Sequence, residues 1–509
     1  MPKLTEMCPD FKGDGVVLDH EGSNEKDFTT RSRPLGGFEQ FMYNAHRLGC
    51  GLIYMIADLR EGSPFLKDTS LMEEALRATV SHHPNLHASI SSDGKQLMFQ
   101  PVNKLPPSFF SVPLISGSSA VDVIQEELLT TPIARGERHS PFWQLVLVQN
   151  AKDGKESQSL VALAHHSIMD GESMVLFLNE IIVRTNELLR TRSGVTTHVA
   201  DEAKSPLELS KLSFLPSQDE LFDKVLPPTA GDGARGALSY LWRRITWFLR
   251  RPTVPASEGT TRDISHRRNN ILSAQIKGSA LTLLLRRCHA EHTTVTAALA
   301  AATLLELKRL IPESPRVNLK LETMVNLRRA LCQVDQARYK DALQCFAAPI
   351  DTVVTVQEND DLWAHARAYK ERLNESMAAG QWKRQVAAFR TFEYGVYGAL
   401  ARMAVTPEIQ GRVKAAAISN LGVLSFDSVE DGKGKIGAEE EDPRQNVEGL
   451  RIARLQWGIS LHGIGQYAFV AASTQDSSLN LTLTCASPIV SAGRAKRLLD
   501  GIVAHLTQL

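Results

Sequence analysis

His165-His166-Ser167-Ile168-Met169-Asp170-Gly171, or HHSIMDG, is the stretch on which the reading of this chain turns. Upstream, Ser159 to Ala164 (SLVALA) is a short apolar run behind a Lys152-Asp153-Gly154-Lys155 turn, the pattern of a buried strand. Downstream, Met174, Phe177, Leu178, Ile181, Ile182, Leu188 and Leu189 fall on one face of a helix that starts near Glu172. The heptapeptide is therefore a strand-to-helix turn carrying two imidazoles and a carboxylate. A neutral imidazole takes a proton from an alcohol or amine near physiological pH. Asp170 follows His166 by four residues, so a turn can fold it back to hold the loop or orient the ring. Gly171 is expected to supply the backbone freedom needed before the helix. A His-His pair can also be structural: His82-His83 ends the helix Leu71 to His82 ahead of Pro84. Metal binding is not expected. Adjacent side chains point apart, no Cys or Glu cluster stands at zinc spacing, and no H-E-x-x-H occurs.

Working outward, strand and helix patterns mix in both halves. Leu86 to Ile90 and Trp143 to Val148 read as strands. A second folded region begins near Asn270. It holds a helical pair over Ser279 to Arg309 split near His292-Thr293, then a strand at Val317 to Val325. Helix Leu362 to Met377 places Trp363, Ala366, Tyr369 and Leu373 on one side. Strands at Ala415 to Leu424 and Tyr467 to Ala486 precede a closing helix, Ala492 to Leu506. From about Thr191 to Ser265 the chain is richer in Pro, Ser, Gly and charge, with a short helix at Ala237 to Arg251. Asp431 to Gly449 reads as a solvated loop. The division expected is an amino-terminal lobe at 1–195 carrying the heptapeptide, an interlobe linker at 196–265, and a carboxyl-terminal lobe at 266–509.

Composition agrees with a globular chain and says nothing of its chemistry. The chain has 509 residues, 57 Lys+Arg against 57 Asp+Glu, and 43% hydrophobic residues. That excludes a disordered chain, a collagen-like fibre and a basic nucleic-acid binder. No secretory signal pattern and no apolar run long enough to span a bilayer is read, so a cytoplasmic location is expected. Six scattered cysteines without a C-x-x-C pair read as free thiols. Gly231 to Gly236 fits G-x-G-x-x-G, but it follows Pro227-Pro228 where a dinucleotide site needs a strand. No G-x-S-x-G elbow is present. Ala237 to Arg251 is rich in Leu, Trp, Phe and Arg. A membrane-surface helix is weighed there and set second, because its arginines spread around more than one face.

HHSIMDG resembles the HHxxxDG signature of the chloramphenicol acetyltransferase-like superfamily, within which the chain is most similar to fungal alcohol O-acetyltransferases and condensation-domain-like enzymes. Arg33-Pro34-Leu35-Gly36 with Glu39 resembles the amino-terminal signature of the alcohol acetyltransferases. HHPNLHASI and FWQLVLVQN resemble segments that precede the active-site histidine. Met324 to Arg328 is similar to the N-x-R segment, and Ser419 to Gly422 to the SN-x-G strand. The DFGWG segment of the plant branch is missing; Gln456-Trp457-Gly458 is at most a fragment of it.

The resemblance implies an α/β fold of two sandwich lobes, a pseudo-dimer with a tunnel at the interface. It implies His166 as general base and Asp170 as an interlobe structural carboxylate, with Arg328 the candidate partner and His165 and Gly171 in support. Ser419 and Asn420 are possible tunnel or oxyanion residues. The activity implied is transfer of an acyl group, acetyl first, from acyl-CoA as cosubstrate to a hydroxyl of a small hydrophobic acceptor of secondary-metabolite type. No bound cofactor is expected, and a monomer suffices. The alternatives are condensation with a carrier-protein-bound acyl thioester to make an ester or amide, and a repurposed member catalysing a cyclisation.

Overall fold

The structure, a computed structural model, describes residues 32–61, 63–92, 96–102, 105–130, 141–152, 155–193, 214–225, 253–261, 263–332, 339–357, 360–390, 396–406, 410–426 and 449–508. From the amino end come β1 (Arg33–Pro34), α1 (Gly37–His46), β2 (Leu52–Leu59), α2 (Ser70–His82), β3 (Ala88–Ser92), β4 (Leu97–Pro101), β5 (Leu114–Ser116) and α3 (Ala120–Thr130). They are followed by β6 (Trp143–Lys152), β7 (Lys155–His165), α4 (Gly171–Arg192) and α5 (Gln218–Val225). The carboxyl half adds β8 (Arg268–Lys277), α6 (Gly278–Ala290), α7 (Val295–Arg309), β9 (Arg316–Asn326), α8 (Arg328–Cys332), β10 (Ala347–Gln357) and α9 (Leu362–Ala378). It ends with α10 (Gln381–Arg390), α11 (Val396–Val405), β11 (Arg412–Val423), β12 (Ile452–Ile459), β13 (Gly465–Gln475), β14 (Ser478–Ser487) and α12 (Ala492–Thr507).

The elements form a two-lobed α/β fold. One lobe is built on a five-stranded sheet in the order β12-β2-β7-β6-β5, the other on a six-stranded sheet in the order β10-β9-β11-β13-β14-β8. A small sheet, β1-β4-β3, lies beside the first. β7 is central and buried on both faces, which is why SLVALA reads as a continuous apolar run. Met174, Phe177, Leu178, Ile181 and Ile182 form the buried stripe of α4 against it. Burying side chains of this size stabilises by roughly 1.5–3 kcal/mol each before chain entropy is counted. The second core gathers α7, whose Ala-rich run from Ala297 to Leu307 is buried all round, with α9, α12 and the face of the six-stranded sheet.

Three segments differ from their sequence reading. Leu86 does not open a strand: Pro84–His87 is a 3-10 turn, and strand begins at Ala88. Pro84 fits the first turn of a helix, and the Leu86 carbonyl accepts instead from the Trp143 indole N–H at 2.9 Å. β12 falls in the 266–509 segment, yet it pairs antiparallel with β2 along Ile452–Ile459 and so belongs to the amino-terminal sheet. In the segment read as a linker, α5 is packed in place: the Gly37 N–H donates to Asp219 Oδ2 at 2.5 Å, and Gln218 Nε2 donates to the Ala347 carbonyl at 2.8 Å. The Ala237 to Arg251 helix and all but the last residue of the Asp431 to Gly449 loop lie outside the described residues.

The two large sheets approach each other through β2 and β12 on one side and β13 and β14 on the other. Tyr54 and Thr484 share a 2.6 Å hydroxyl hydrogen bond, and the Trp457 indole donates to the Ala472 carbonyl at 3.2 Å. Buried side chains of both sheets, among them Tyr54, Trp457, Phe469 and Ala471, belong to one apolar cluster. The site sits where these sheets meet.

Candidate active site

β7 delivers His165 opposite Leu52, and the chain then turns, with the His166 N–H donating to the Gly51 carbonyl at 2.9 Å. The two imidazoles go to different places. His165 is fully buried. Its Nδ1 accepts from the Ser167 hydroxyl at 2.7 Å and the Ser167 N–H at 3.1 Å, and its ring packs against His46 and Phe142. Burial, with a smaller push from His46 and His166, holds its pKa well below the usual histidine range. It is a neutral core residue.

His166 lines a cavity of about 240 Å³ between the sheets. Its Nδ1 lies 3.0 Å from the Met169 carbonyl, which can only accept, so Nδ1 carries the proton and Nε2 keeps its lone pair. Burial lowers the pKa of the ring, and the Asp170 charge partly offsets this. The ring is held edge-on by Phe38 at 5.6 Å between centroids. Cys345 Sγ lies 3.7 Å from Nδ1, and burial pushes that thiol well up, so it brings no thiolate to the site.

Asp170 points away from the cavity and joins three segments. Oδ1 caps α4 by accepting from the Ser173 N–H at 2.8 Å, and Oδ2 accepts from the Phe346 N–H at 2.8 Å. Arg328 Nη2 is 3.7 Å from Oδ1, with both side chains buried. The same Nη2 donates to Ser173 Oγ at 2.9 Å, and Ser173 Oγ donates to the Gln344 carbonyl at 2.7 Å. The guanidinium also stacks over Phe346, 4.7 Å from the ring centre. A carboxylate from the first lobe is thereby tied to α8 and to the residue that precedes β10 in the second.

Gly171 is the first residue of α4 and has ordinary helical backbone, so conformational freedom is not why a glycine stands there. The reason is space. A Cβ would lie 3.1 Å from Leu421 Cδ2 and 3.3 Å from Trp457 Cζ3, where β11 and β12 pass the helix end. Ser419 lines the cavity. Asn420, one residue on, faces the other side of β11, where its amide donates to Thr296 Oγ1 at 3.0 Å and accepts from the Gly422 N–H at 2.9 Å.

The cavity wall is mainly apolar. Phe38, Phe41 and Met42 come from α1, Met324 from β9, Phe389 from α10, and Trp457 and Phe469 from the facing sheets. The Arg33-Pro34-Leu35-Gly36…Glu39 pattern explains how α1 is held. Arg33 makes two 2.7 Å bonds to the Glu39 carboxylate, which also accepts from the Gly36 N–H at 2.7 Å. Phe38 is thus fixed beside the HHSIMDG turn by residues that never touch the cavity. Sequence reading missed Phe38, Ser173 and the Phe346 N–H. Ser173 alone had a local signal, three residues after a capping aspartate. It also set Trp457 aside as a fragment, whereas the residue walls the cavity beside Gly171.

The profile of the alcohol acetyltransferase family matches residues 116–433, a stretch that includes the heptapeptide, Arg328 and Ser419. The chain belongs to the alcohol acetyltransferase family. No sequence among curated proteins matches it. Among solved structures it is similar to the TRI3 trichothecene 15-O-acetyltransferase of Fusarium sporotrichioides, at 13% identity and a TM-score of 0.65 over 94% of each chain. It is also similar to polyketide synthase associated protein 5 of Mycobacterium tuberculosis, at 13% identity, TM-score 0.57, over 94% of this chain and 97% of that one. The condensation domain of the monacolin K polyketide synthase MokA matches at 14% identity, TM-score 0.57, over 94% and 97%. These likenesses place the chain in the fold shared by acetyltransferases and condensation domains. No helix among the described residues is long and apolar enough to cross a membrane.

Proposed function

We propose that this alcohol acetyltransferase-family enzyme moves an acyl group, acetyl by preference, from acyl-CoA to a hydroxyl of a small hydrophobic acceptor bound in the interlobe cavity. One observation carries the reading: the His166 ring is held with Nδ1 on the Met169 carbonyl, leaving Nε2 unprotonated in an apolar cavity. Nε2 takes the acceptor's hydroxyl proton as that oxygen attacks the thioester carbonyl carbon. The tetrahedral intermediate collapses, the C–S bond breaks, and the departing sulfur takes the proton from Nε2. Ser419 is the candidate donor to the oxyanion. Asp170 and Arg328 hold the two lobes around the base and do not touch substrate.

The test is acetyl-CoA with a panel of hydrophobic alcohols, reading acceptor-dependent release of free thiol and the ester by mass. His166→Ala is expected to lose on the order of 10²–10⁴-fold in rate. A rate near wild type refutes the assignment of the base. Ester formation that requires a carrier-bound thioester in place of acetyl-CoA would identify the condensation reading instead.

A further inference from the structure

The mainly apolar lining of the cavity includes one polar group, made of Glu322, Lys414 and Gln466. Strand register sets the separation. Phe346 bonds Asp170 at the catalytic end, and β10 then runs from Ala347, opposite Asn326, to Asp351, opposite Glu322. Four residues of strand span about 13 Å. Between the two ends the wall includes Met324 and Pro349.

The polar group is built and nearly saturated. Lys414 Nζ bonds Glu322 Oε2 and lies 2.9 Å from Asp351 Oδ1, while Lys320 Nζ lies 2.9 Å from Asp351 Oδ2. Gln466 Nε2 donates to Glu322 Oε1 at 2.6 Å. Two ammonium groups balance two carboxylates, so the cluster is neutral and fixed. Paired charges of this kind hold one another in their ionised forms: burial opposes the Lys414 charge, and Asp351 and Glu322 more than restore it. The cluster keeps unused capacity. Among the described residues Lys414 Nζ reaches no acceptor beyond Glu322 and Asp351, and the side-chain amide oxygen of Gln466 has no donor. A donor and an acceptor side by side, with no net charge, match a neutral hydroxyl.

We propose that Glu322, Lys414 and Gln466 form a recognition subsite for a second hydroxyl of the acceptor, on the order of 10 Å from the hydroxyl that is esterified. The preferred substrate class is then an elongated hydrophobic diol, acylated at one end. The inference rests on reading the cavity as the acceptor site.

The probe pair is 1,10-decanediol and 1-undecanol, of equal length and differing in the terminal hydroxyl. Binding is read by quenching of tryptophan fluorescence, since Trp457 walls the cavity, and is independent of turnover. Wild type is expected to bind the diol about tenfold more tightly, the difference one hydrogen-bonded oxygen makes in an apolar site. Gln466→Met is expected to erase most of that ratio. Equal binding of the two alcohols by wild type, binding of neither, or a ratio unchanged in Gln466→Met overturns the subsite. A diol preference in binding, lost in the variant, with no ester formed from acetyl-CoA would leave the subsite standing and remove the acyl-transfer reading.

Discussion

Asp170→Asn isolates what joins the lobes. The carboxylate accepts two backbone N–H bonds, from Ser173 and Phe346, and stands 3.7 Å from Arg328. Asparagine has one carbonyl oxygen, so one of those N–H groups must face an NH₂ donor. A buried N–H left unpaired costs about 1–3 kcal/mol. The variant also strands a guanidinium whose side chain is 5% exposed, and breaking a buried pair costs about 3–5 kcal/mol. The terms overlap, because Arg328 also bonds Ser173 Oγ and the Ala342 carbonyl, so the larger is not added to the smaller. A net loss of about 3 kcal/mol is expected. At about 2 °C per kcal/mol for a large cooperative unit, the melting transition should fall by about 6 °C in calorimetry. Arg328→Met added to Asp170→Asn removes the stranded charge, so the double variant should lose less than the sum of the singles. The acceptor KM should move little. A transition within 1 °C of wild type, or strictly additive losses, would refute the interlobe ion pair.

Three further outcomes follow from the same structure. The base proposed at His166 works only when neutral, and burial lowers its pKa, so the acid limb of kcat/KM should lie below the ordinary histidine value of about 6.5, with no loss of rate from pH 8 to 7. An acid limb above pH 6.5 would contradict the buried neutral base. Stability should also fall on acidification. Burial drives His462 down to about 3 and His165 well below its usual range, so below pH 6.5 the unfolded chain binds protons that the folded chain does not. Stability therefore rises with pH across this window: roughly 2 kcal/mol from His462 is lost at pH 5, and His165 adds a loss of the same sign. Denaturant midpoints equal at pH 7 and pH 5 would oppose this. Finally, Gly171→Val adds a branched side chain where a Cβ already sits 3.1 Å from Leu421, so acceptor binding should weaken at least tenfold by titration, and unchanged affinity would show that the wall can yield.

The parts of this site that could be read before folding are those whose signal is local. An apolar run followed by a 3.6-residue period specifies strand, turn and helix, and β7 and α4 lie where that pattern places them. Asp170 caps the helix that begins one residue later, a relation written entirely within four residues. Arg328 was reached through resemblance, since no period links it to a carboxylate 158 positions earlier.

What the sequence by itself determined is the strand–HHSIMDG–helix unit, the mixed α/β class and the chemical types available at the turn. Only the tertiary structure decided which histidine faces the cavity, that a Cβ at Gly171 would crowd Leu421 and Trp457, and that β12 crosses to the amino-terminal sheet. It also decided that Phe38, Trp457 and the Glu322–Lys414–Gln466 cluster line one cavity with His166. The physical reason is the range of the interactions. Propensity, period and capping act within a few residues, whereas the shape and polarity of this cavity come from close packing among segments hundreds of residues apart, which leaves no spacing in the chain to read.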